Sequence, residues 1–158
     1  MKVLGIDPGT SVTGYGVVEY GNGTPGFGRL IECGVIRLAK RSSLPRRLAQ
    51  LHDGIVELIE RHQPNTLALE DTFYHKNVRT TLVLGQARGV VLLAAEQHAV
   101  AMAWYPPATV KKSVVGAGGA PKAQVAAMVA RLLRLKHAPR PSDAADGVAV
   151  ALTHVIRS

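Results

Sequence analysis

Residues 3–16, VLGIDPGTSVTGYG, establish the first two strands of this chain. The apolar run over residues 3–6 ends in a single carboxylate, Asp7, and is followed by Pro8-Gly9. Proline presets φ and glycine accepts the positive φ of a type II turn, so the chain is expected to reverse there. A second β-prone run covers residues 13–20. The pattern predicts an antiparallel hairpin whose buried first strand ends at Asp7, although an acid before Pro-Gly is also a common turn residue.

The length and composition favour one α/β domain with a basic surface. With 158 residues, 47% hydrophobic and only 4% aromatic, the chain can bury a sizeable aliphatic core. Its net charge of +8 and pI of about 10.1 favour a polyanionic partner. The span between Glu96 and Asp143 contains no acid, and it holds these bases: Lys111, Lys112, Lys122, Arg131, Arg134, Lys136 and Arg140.

Cysteine, histidine and hydropathy patterns indicate a soluble cytoplasmic protein without a structural zinc. The single cysteine, Cys33, is expected to be a small buried hydrophobe in a strand. The six histidines show no ligand spacing and are expected at the surface or loosely packed. No apolar signal core precedes Asp7, which argues against secretion. The most apolar window, residues 81–104, is interrupted by Gln86, Arg88, Glu96 and Gln97 and is not predicted to cross a membrane.

The remaining chain alternates predicted strands and helices. Further strands are predicted over residues 29–38, 66–70 and 100–105. Helices are predicted from the Ser42, Ser43 and Pro45 start signal to His62, over 78–98, over 109–115, from Pro121, and from Ser142 as a cap. The helix over 78–98 is apolar around much of its circumference, which predicts burial on more than one side, either centrally or at a subunit contact. Residues 1–158 are therefore expected to form a single domain, with a five-stranded mixed sheet flanked by helices.

Two predicted strands end in carboxylates that should meet. The first strand and the strand ending at Glu70 are joined through a helical crossover, so they are expected to run parallel. If these strands are neighbours, Asp7 and Glu70 lie at the same carboxyl edge of the sheet. Open α/β sheets bind their ligands at that edge.

The last predicted helix supplies two more carboxylates, Asp143 and Asp146. They are three residues apart, so both project from one face of its first turn. Acids in a first turn also complement the helix dipole, which is a purely structural alternative. The chain has only eleven acids, however, and four of them lie at two strand ends and one helix start. That distribution favours a shared site.

A site made of four carboxylates favours hard divalent cations. The carboxylates would repel one another, and some would stay protonated, unless cations compensate. Oxygen-only ligands suit Mg²⁺ or Mn²⁺. Four carboxylates suffice for two ions about 3.5–4 Å apart, which could clamp the attacking and leaving oxygens of a phosphodiester. The pattern therefore predicts metal-dependent phosphodiester hydrolysis without a side-chain nucleophile.

Five stretches together resemble RuvC-type Holliday junction resolvases: GIDPGTSVTGYGVV, LALEDTFYHKN, LGQARGVVLLAA, VKKSVVGAGGAPKAQVAAMV and PSDAADGVAVALTH. The resemblance follows the chain in order over nearly its whole length. It implies a ribonuclease-H-like fold and a homodimer that nicks two opposed strands of a four-way DNA junction. The implied products are nicks with 5′-phosphate and 3′-hydroxyl ends. A branch-migration motor complex of the RuvA and RuvB type is the further partner it implies.

The resemblance assigns roles to residues of this chain. The four acids of the family fall on Asp7, Glu70, Asp143 and Asp146, which would hold two Mg²⁺ ions, or Mn²⁺, per active site. The implied DNA contacts are the lysines Lys111 and Lys122 and the aromatic Phe73, with Tyr74 beside it. Lys112, Lys76 and Arg79 are further candidate DNA contacts. Gly147 stands where alanine is frequent in the family, which is expected to weaken the last helix slightly.

Three alternatives stay open on the sequence. Another ribonuclease-H-like nuclease would share the metal site but would cut RNA–DNA hybrids or single strands. Asp7-Pro8-Gly9-Thr10 also resembles the phosphate loop of the sugar-kinase and actin ATPase group, although those proteins need two such domains. A metal-free structural DNA-binding protein would tolerate neutralisation of all four acids.

Overall fold

A computed structural model gives the fold of the chain and describes residues 1–72 and 75–158. Phe73 and Tyr74 lie outside the described residues. The strands in the described part are β1 (Lys2–Asp7), β2 (Val12–Glu19), β3 (Arg29–Arg37), β4 (Thr66–Glu70) and β5 (Ala101–Tyr105). The helices there are α1 (Leu44–His62), α2 (Val78–Gln97), α3 (Pro107–Val115), α4 (Lys122–Leu132) and α5 (Ser142–Arg157).

The strands form one mixed sheet in the order β3-β2-β1-β4-β5. β1 pairs with β2 and β2 with β3 in antiparallel fashion, whereas β4 is parallel to both β1 and β5. The predicted hairpin, the mixed sheet and the parallel pairing of β1 with β4 are confirmed. Ile6 pairs with Leu69, so Asp7 and Glu70 are the next residues on two adjacent strands at one edge of the sheet.

The sheet has a hydrophobic core on each face, because successive side chains of its central strands point to opposite sides. Leu4 and Ile6 of β1 lie in the core beneath α1 and α2, together with Leu51 and Val91. Val3 lies in the other core, which α3, α4 and α5 cover. Burial on both faces explains why β1 and β4 are almost continuously apolar.

Helix α5 packs unusually close to β1 and β2. A Cβ atom on Gly14 would overlap the carbonyl oxygen of Asp143. A Cβ atom on Gly147 would lie 2.5 Å from both the Cα and the nitrogen of Tyr15. Gly147 therefore permits this close contact, whereas a weakening of α5 by this glycine stays a prediction. The helix also begins differently: Pro141 occupies the N-cap position, and Ser142 is the first helical residue.

Within the single chain, helix α2 is buried on one side only, so the predicted burial at the centre of the fold is wrong, whereas burial at a subunit contact stays a prediction. Its buried residues are Ala87, Val91, Ala94 and Ala95. On the opposite side Val78 is 73% exposed, Leu82 63% and Leu93 52%. With a mean hydropathy of 1.3 over 18 residues, α2 could cross a membrane by length and composition alone. Core helices of soluble proteins pass the same test, and the inner face of α2 packs into the core beneath the sheet.

His62 is buried, contrary to expectation, and Cys33 is less buried than expected. His62 is 8% exposed, and its Nε2 lies 2.6 Å from Oε2 of Glu32. The Nδ1 of His154 lies 2.8 Å from the hydroxyl of Tyr105. Cys33 lies in β3 as predicted but is only half-buried against the core.

Candidate metal centre

Three carboxylates converge where β1 ends and α5 begins. One carboxylate oxygen from each of Asp7, Asp143 and Asp146 lies within 4.8 Å of the other two. The close packing of α5 on Gly14 brings its first turn down to the end of β1. The 3-residue spacing within α5 then directs both of its acids to the same side.

Glu70 joins this group through a shared cavity. A cavity of about 140 Å³ is lined by Asp7, Glu70 and Asp146 together with the lysines Lys111 and Lys122. Its remaining walls are apolar: Pro107, Val110, Val125 and Ala149. The structure therefore brings all four predicted acids to one place, three in direct proximity and Glu70 across the cavity.

Burial and the repulsion of neighbouring carboxylates raise the pKa of Asp7 and of Glu70. Burial, reinforced by the charges of Glu70 and Asp146, raises the pKa of Asp7 to about 8. The pKa of Glu70 is raised mainly by burial and then by the charge of Asp146. Lys122 opposes both shifts. Asp7 thus retains its proton near neutral pH, and a divalent cation would favour release of that proton.

Two predicted lysines reach the acids. The Nζ of Lys122 donates to Oδ2 of Asp146 at 3.0 Å, and this hydrogen bond is the main reason why the pKa of Lys122 is raised. The side chain of Lys122 is nevertheless 72% exposed, so the ammonium group is accessible from solvent. Lys111 lines the cavity from α3.

The other predicted DNA contacts lie outside the cavity walls. Lys112 is exposed on α3, next to Lys111. Lys76 and Arg79 are exposed just before and within the start of α2. The predicted contacts Phe73 and Tyr74 lie outside the described residues.

The sequence reasoning missed residues that hold the loops around the acids. Asp71 forms an ion pair with Arg88 of α2, with 2.9 Å between Oδ1 and Nη1. Arg47 of α1 donates to the carbonyl of Thr10 at 3.3 Å, in the turn that follows Asp7. The available signals were an acid immediately after Glu70 and an arginine, Arg88, in the middle of an otherwise apolar stretch of α2.

The donor set fits a hard divalent cation. Among the described residues the cluster consists of carboxylates alone, without a histidine or thiolate ligand. Oxygen donors are the ligands that Mg²⁺ and Mn²⁺ prefer. Burial and the neighbouring acids raise the pKa of Asp7, so a cation bound here would stabilise its carboxylate form.

The mixed sheet, with acids at the ends of β1 and β4 and at the start of α5, defines a ribonuclease-H-like nuclease that uses divalent metal. The family model described as crossover junction endodeoxyribonuclease RuvC matches residues 3–154. The chain belongs to this family, which confirms the predicted fold and class of enzyme.

Individual relatives agree with this assignment over nearly their full length. The crossover junction endodeoxyribonuclease RuvC of Moorella thermoacetica is 49% identical over 154 residues, covering 98% of this chain and 90% of the relative. The structure of Thermus thermophilus RuvC superposes with a TM-score of 0.89 at 36% identity, covering 99% of this chain and 94% of that one. The same protein in complex with a Holliday junction substrate gives a TM-score of 0.87 at 34% identity, with the same coverage of each chain.

Proposed function

We propose that this protein resolves four-way DNA junctions by paired, symmetric, metal-dependent nicks in homologous recombination and DNA repair. Each nick would leave a 5′-phosphate and a 3′-hydroxyl end. The observation that carries the proposal is the cavity at which Asp7, Glu70 and Asp146 face Lys111 and Lys122. Membership in the RuvC family, and a relative with a Holliday junction as its substrate, support the junction as the DNA form.

The acids of this cavity are proposed to hold two Mg²⁺ ions, or Mn²⁺, per active site. The ligands would be Asp7, Glu70, Asp143 and Asp146. Such ions, when bound, activate a water and stabilise the leaving 3′-oxygen of a phosphodiester. Asp7 must give up its proton before it can act as a ligand, because its pKa is about 8 in the metal-free site. Hydrolysis then needs no side-chain nucleophile.

Basic residues around the cavity are proposed to hold the DNA backbone. Lys111 and Lys122 line the cavity together with the acids. Lys122 can exchange its contact with Asp146 for a phosphate oxygen, since most of its side chain is exposed. Lys112, Lys76 and Arg79 would contact phosphates farther along the strand. Phe73 and Tyr74 are proposed to stack on an unpaired base at the crossover.

The outer face of α2 is proposed as part of a homodimer contact. Val78, Leu82 and Leu93 are exposed along this face, at spacings that place them in one stripe with Gly85 and Gly89. In residues 1–72 and 75–158, apart from the neighbouring backbone of α2 itself, no atom lies within 4 Å of a Cβ built on either glycine. Glycine costs about 1 kcal/mol relative to alanine inside a helix, so two glycines unneeded by the fold suggest close approach of another backbone.

A two-fold dimer would place two identical sites around the axis of the junction, so that paired incisions follow from symmetry.

Residues 1–158 are proposed to act as one nuclease domain in the cytoplasm. A branch-migration motor complex of the RuvA and RuvB type is the proposed further partner.

The decisive experiment compares a synthetic four-way junction with a linear duplex of the same sequence. Each substrate is incubated with Mg²⁺, with Mn²⁺ or with a chelator. We expect paired nicks in the junction alone, in the presence of either metal and not with the chelator. Equal cutting of both substrates would indicate a general nuclease. Binding without cutting under either metal would indicate a DNA-binding protein.

Asp7→Asn separates catalysis from binding in the same assay. This variant should lose cleavage by at least about 100-fold, which is the scale for removing one group that stabilises developing charge. Junction binding should stay intact or tighten, because a negative charge near phosphate has been removed. Asp53→Asn is the matched control, since Asp53 is an exposed acid of α1 outside the cavity. Loss of binding in Asp7→Asn would contradict a purely catalytic role.

A further inference from the structure

An ion pair with a buried carboxylate follows the proposed metal ligand Glu70. Asp71 is the next residue in the chain, and its side chain is only 8% exposed. The Nη1 of Arg88, from the middle of α2, lies 2.9 Å from Oδ1 of Asp71. A carboxylate this deeply buried is costly unless a cation compensates it, so the arginine is what allows an acid at this position.

The backbone at Asp71 is fixed from the opposite side as well. The amide nitrogen of Asp71 donates to the carbonyl of Tyr105 at 2.9 Å, at the end of the edge strand β5. The segment that leaves Glu70 is therefore held by β5 through its backbone and by α2 through its side chain. This double attachment restricts the direction in which the chain leaves β4.

Arg88 also lies near Glu70 itself. A small cleft is lined by Pro8, Glu70, Thr72, Leu84 and Arg88. Arg88 thus borders Glu70 and also the turn that follows Asp7. The hydroxyl of Thr72 lies 3.5 Å from Oε1 of Glu70, too long for a strong restraint, so the local chain does little to hold the carboxylate by itself.

We propose that the Asp71–Arg88 ion pair is a positioning device that sets Glu70 at the metal centre, an inference that rests on the proposed function. Neither residue lines the main cavity, and neither is proposed to touch metal or DNA. The pair acts by fixing the carboxyl end of β4 against α2, so that the Glu70 carboxylate faces Asp7 and Asp146. Partners of this kind, one step removed from a ligand, typically change metal affinity or activity by about 10-fold to 100-fold.

The test uses Asp71→Asn and Arg88→Met, each in the full chain. We expect the single-turnover cleavage rate at saturating junction to fall about 10-fold and the half-saturating Mn²⁺ concentration to rise by a similar factor. Junction affinity should not change, because no proposed DNA contact is removed. Arg88→Lys retains a cation and should restore much of the metal response.

Arg61→Met is the matched control for a merely structural role. Arg61 of α1 pairs with Glu32 at 2.7 Å and with Glu57 at 2.6 Å, in a part of the fold without a proposed ligand. It should lower the melting temperature without moving the half-saturating Mn²⁺ concentration. The proposal would be overturned if Arg61→Met and Asp71→Asn, at the same loss of stability, raised the half-saturating Mn²⁺ concentration equally. It would also be overturned if a folded Asp71→Asn left that concentration unchanged. If Asp71→Asn and Arg88→Met do not fold, Arg88→Gln, which removes the charge but keeps a polar side chain, is measured by the same criterion.

Calorimetric titration of Mn²⁺ into DNA-free protein separates this proposal from the proposed function. Weaker Mn²⁺ binding by Asp71→Asn would support the positioning role even if the wild-type protein did not cut junctions. Unchanged Mn²⁺ binding by Asp71→Asn, together with an unchanged Mn²⁺ dependence of cleavage, would reject the positioning role even if the wild-type protein cut junctions.

Discussion

The Nζ of Lys122, at the start of α4, lies 3.0 Å from Oδ2 of Asp146 in the first two turns of α5. This contact joins the acid-free basic span of the chain to its acidic centre. In the absence of metal and DNA the lysine neutralises an acid. With metal bound, the same ammonium group would be available for a phosphate.

Lys122→Ala should therefore weaken junction binding and flatten its salt dependence. One phosphate contact contributes about one unit to the slope of log affinity against log salt concentration, so the slope should fall by about one. The measurement is junction affinity over a series of salt concentrations with Mn²⁺ present, in the Asp7→Asn background to prevent cutting. Lys136→Ala is the matched control, because Lys136 lines a different surface groove. An unchanged slope in Lys122→Ala would remove this residue from the proposed DNA contacts.

The metal-free protein should lose stability as the pH rises toward 8. The pKa of Asp7 is raised from 3.8 to about 8, so between these values the folded state binds more protons than the unfolded state. The free energy of unfolding must then decrease with pH across this window and level off above about pH 8. Chemical denaturation in a chelator at several pH values measures the trend.

Two comparisons check that this trend comes from Asp7. Asp7→Asn should flatten the decrease, because asparagine has no proton to lose. Saturating Mn²⁺ should reverse it, since metal binding favours the ionised ligands. A wild-type profile that stays flat from pH 5 to pH 8 would contradict the assigned environment of Asp7.

Leu82→Glu should convert the proposed dimer into a monomer of 16.8 kDa. Leu82 is 63% exposed in the single chain, so the substitution should not disturb the fold. A glutamate in an apolar contact between subunits would be buried without a partner. Light scattering gives the mass, and the junction assay should show single nicks in place of paired ones. Ala49→Glu, on an exposed position of α1, should leave the mass unchanged. If the wild-type protein is a monomer, or if Leu82→Glu remains a dimer, the outer face of α2 is not the dimer contact.

Gly147→Ala should destabilise the fold by about 1–3 kcal/mol, the usual cost of overpacking. The added methyl group would lie 2.5 Å from backbone atoms of Tyr15, so α5 must move away from β2. That movement should also weaken Mn²⁺ binding, because Asp143 and Asp146 travel with the helix. Urea unfolding and metal titration measure the two effects. Gly119→Ala is the control, since a Cβ there meets nothing within 4 Å. Unaltered stability in Gly147→Ala would mean that the contact is looser than described.

Local sequence patterns were sufficient for the strands, the hairpin and the parallel pairing of β1 with β4, because each depends on periodicity, turn residues or connection length. They were also sufficient to nominate Asp7, Glu70, Asp143 and Asp146. The apolar pattern within α2 predicted the length of the helix correctly, but it did not predict which side of the helix is buried. An apolar residue has the same identity whether it faces a core or solvent, and only the position of α1 and the sheet distinguishes the two sides of the helix.

The sequence by itself determined which residue types stand at the ends of β1 and β4 and at the start of α5, because those positions follow from short-range rules. Only the tertiary structure decided how near they come. The approach of α5 to β2 depends on glycines far apart in the chain, Gly14 and Gly147, which meet only when helix and sheet pack. The contacts between Lys122 and Asp146 and between Asp71 and Arg88 likewise join separate elements, so no local pattern could specify them.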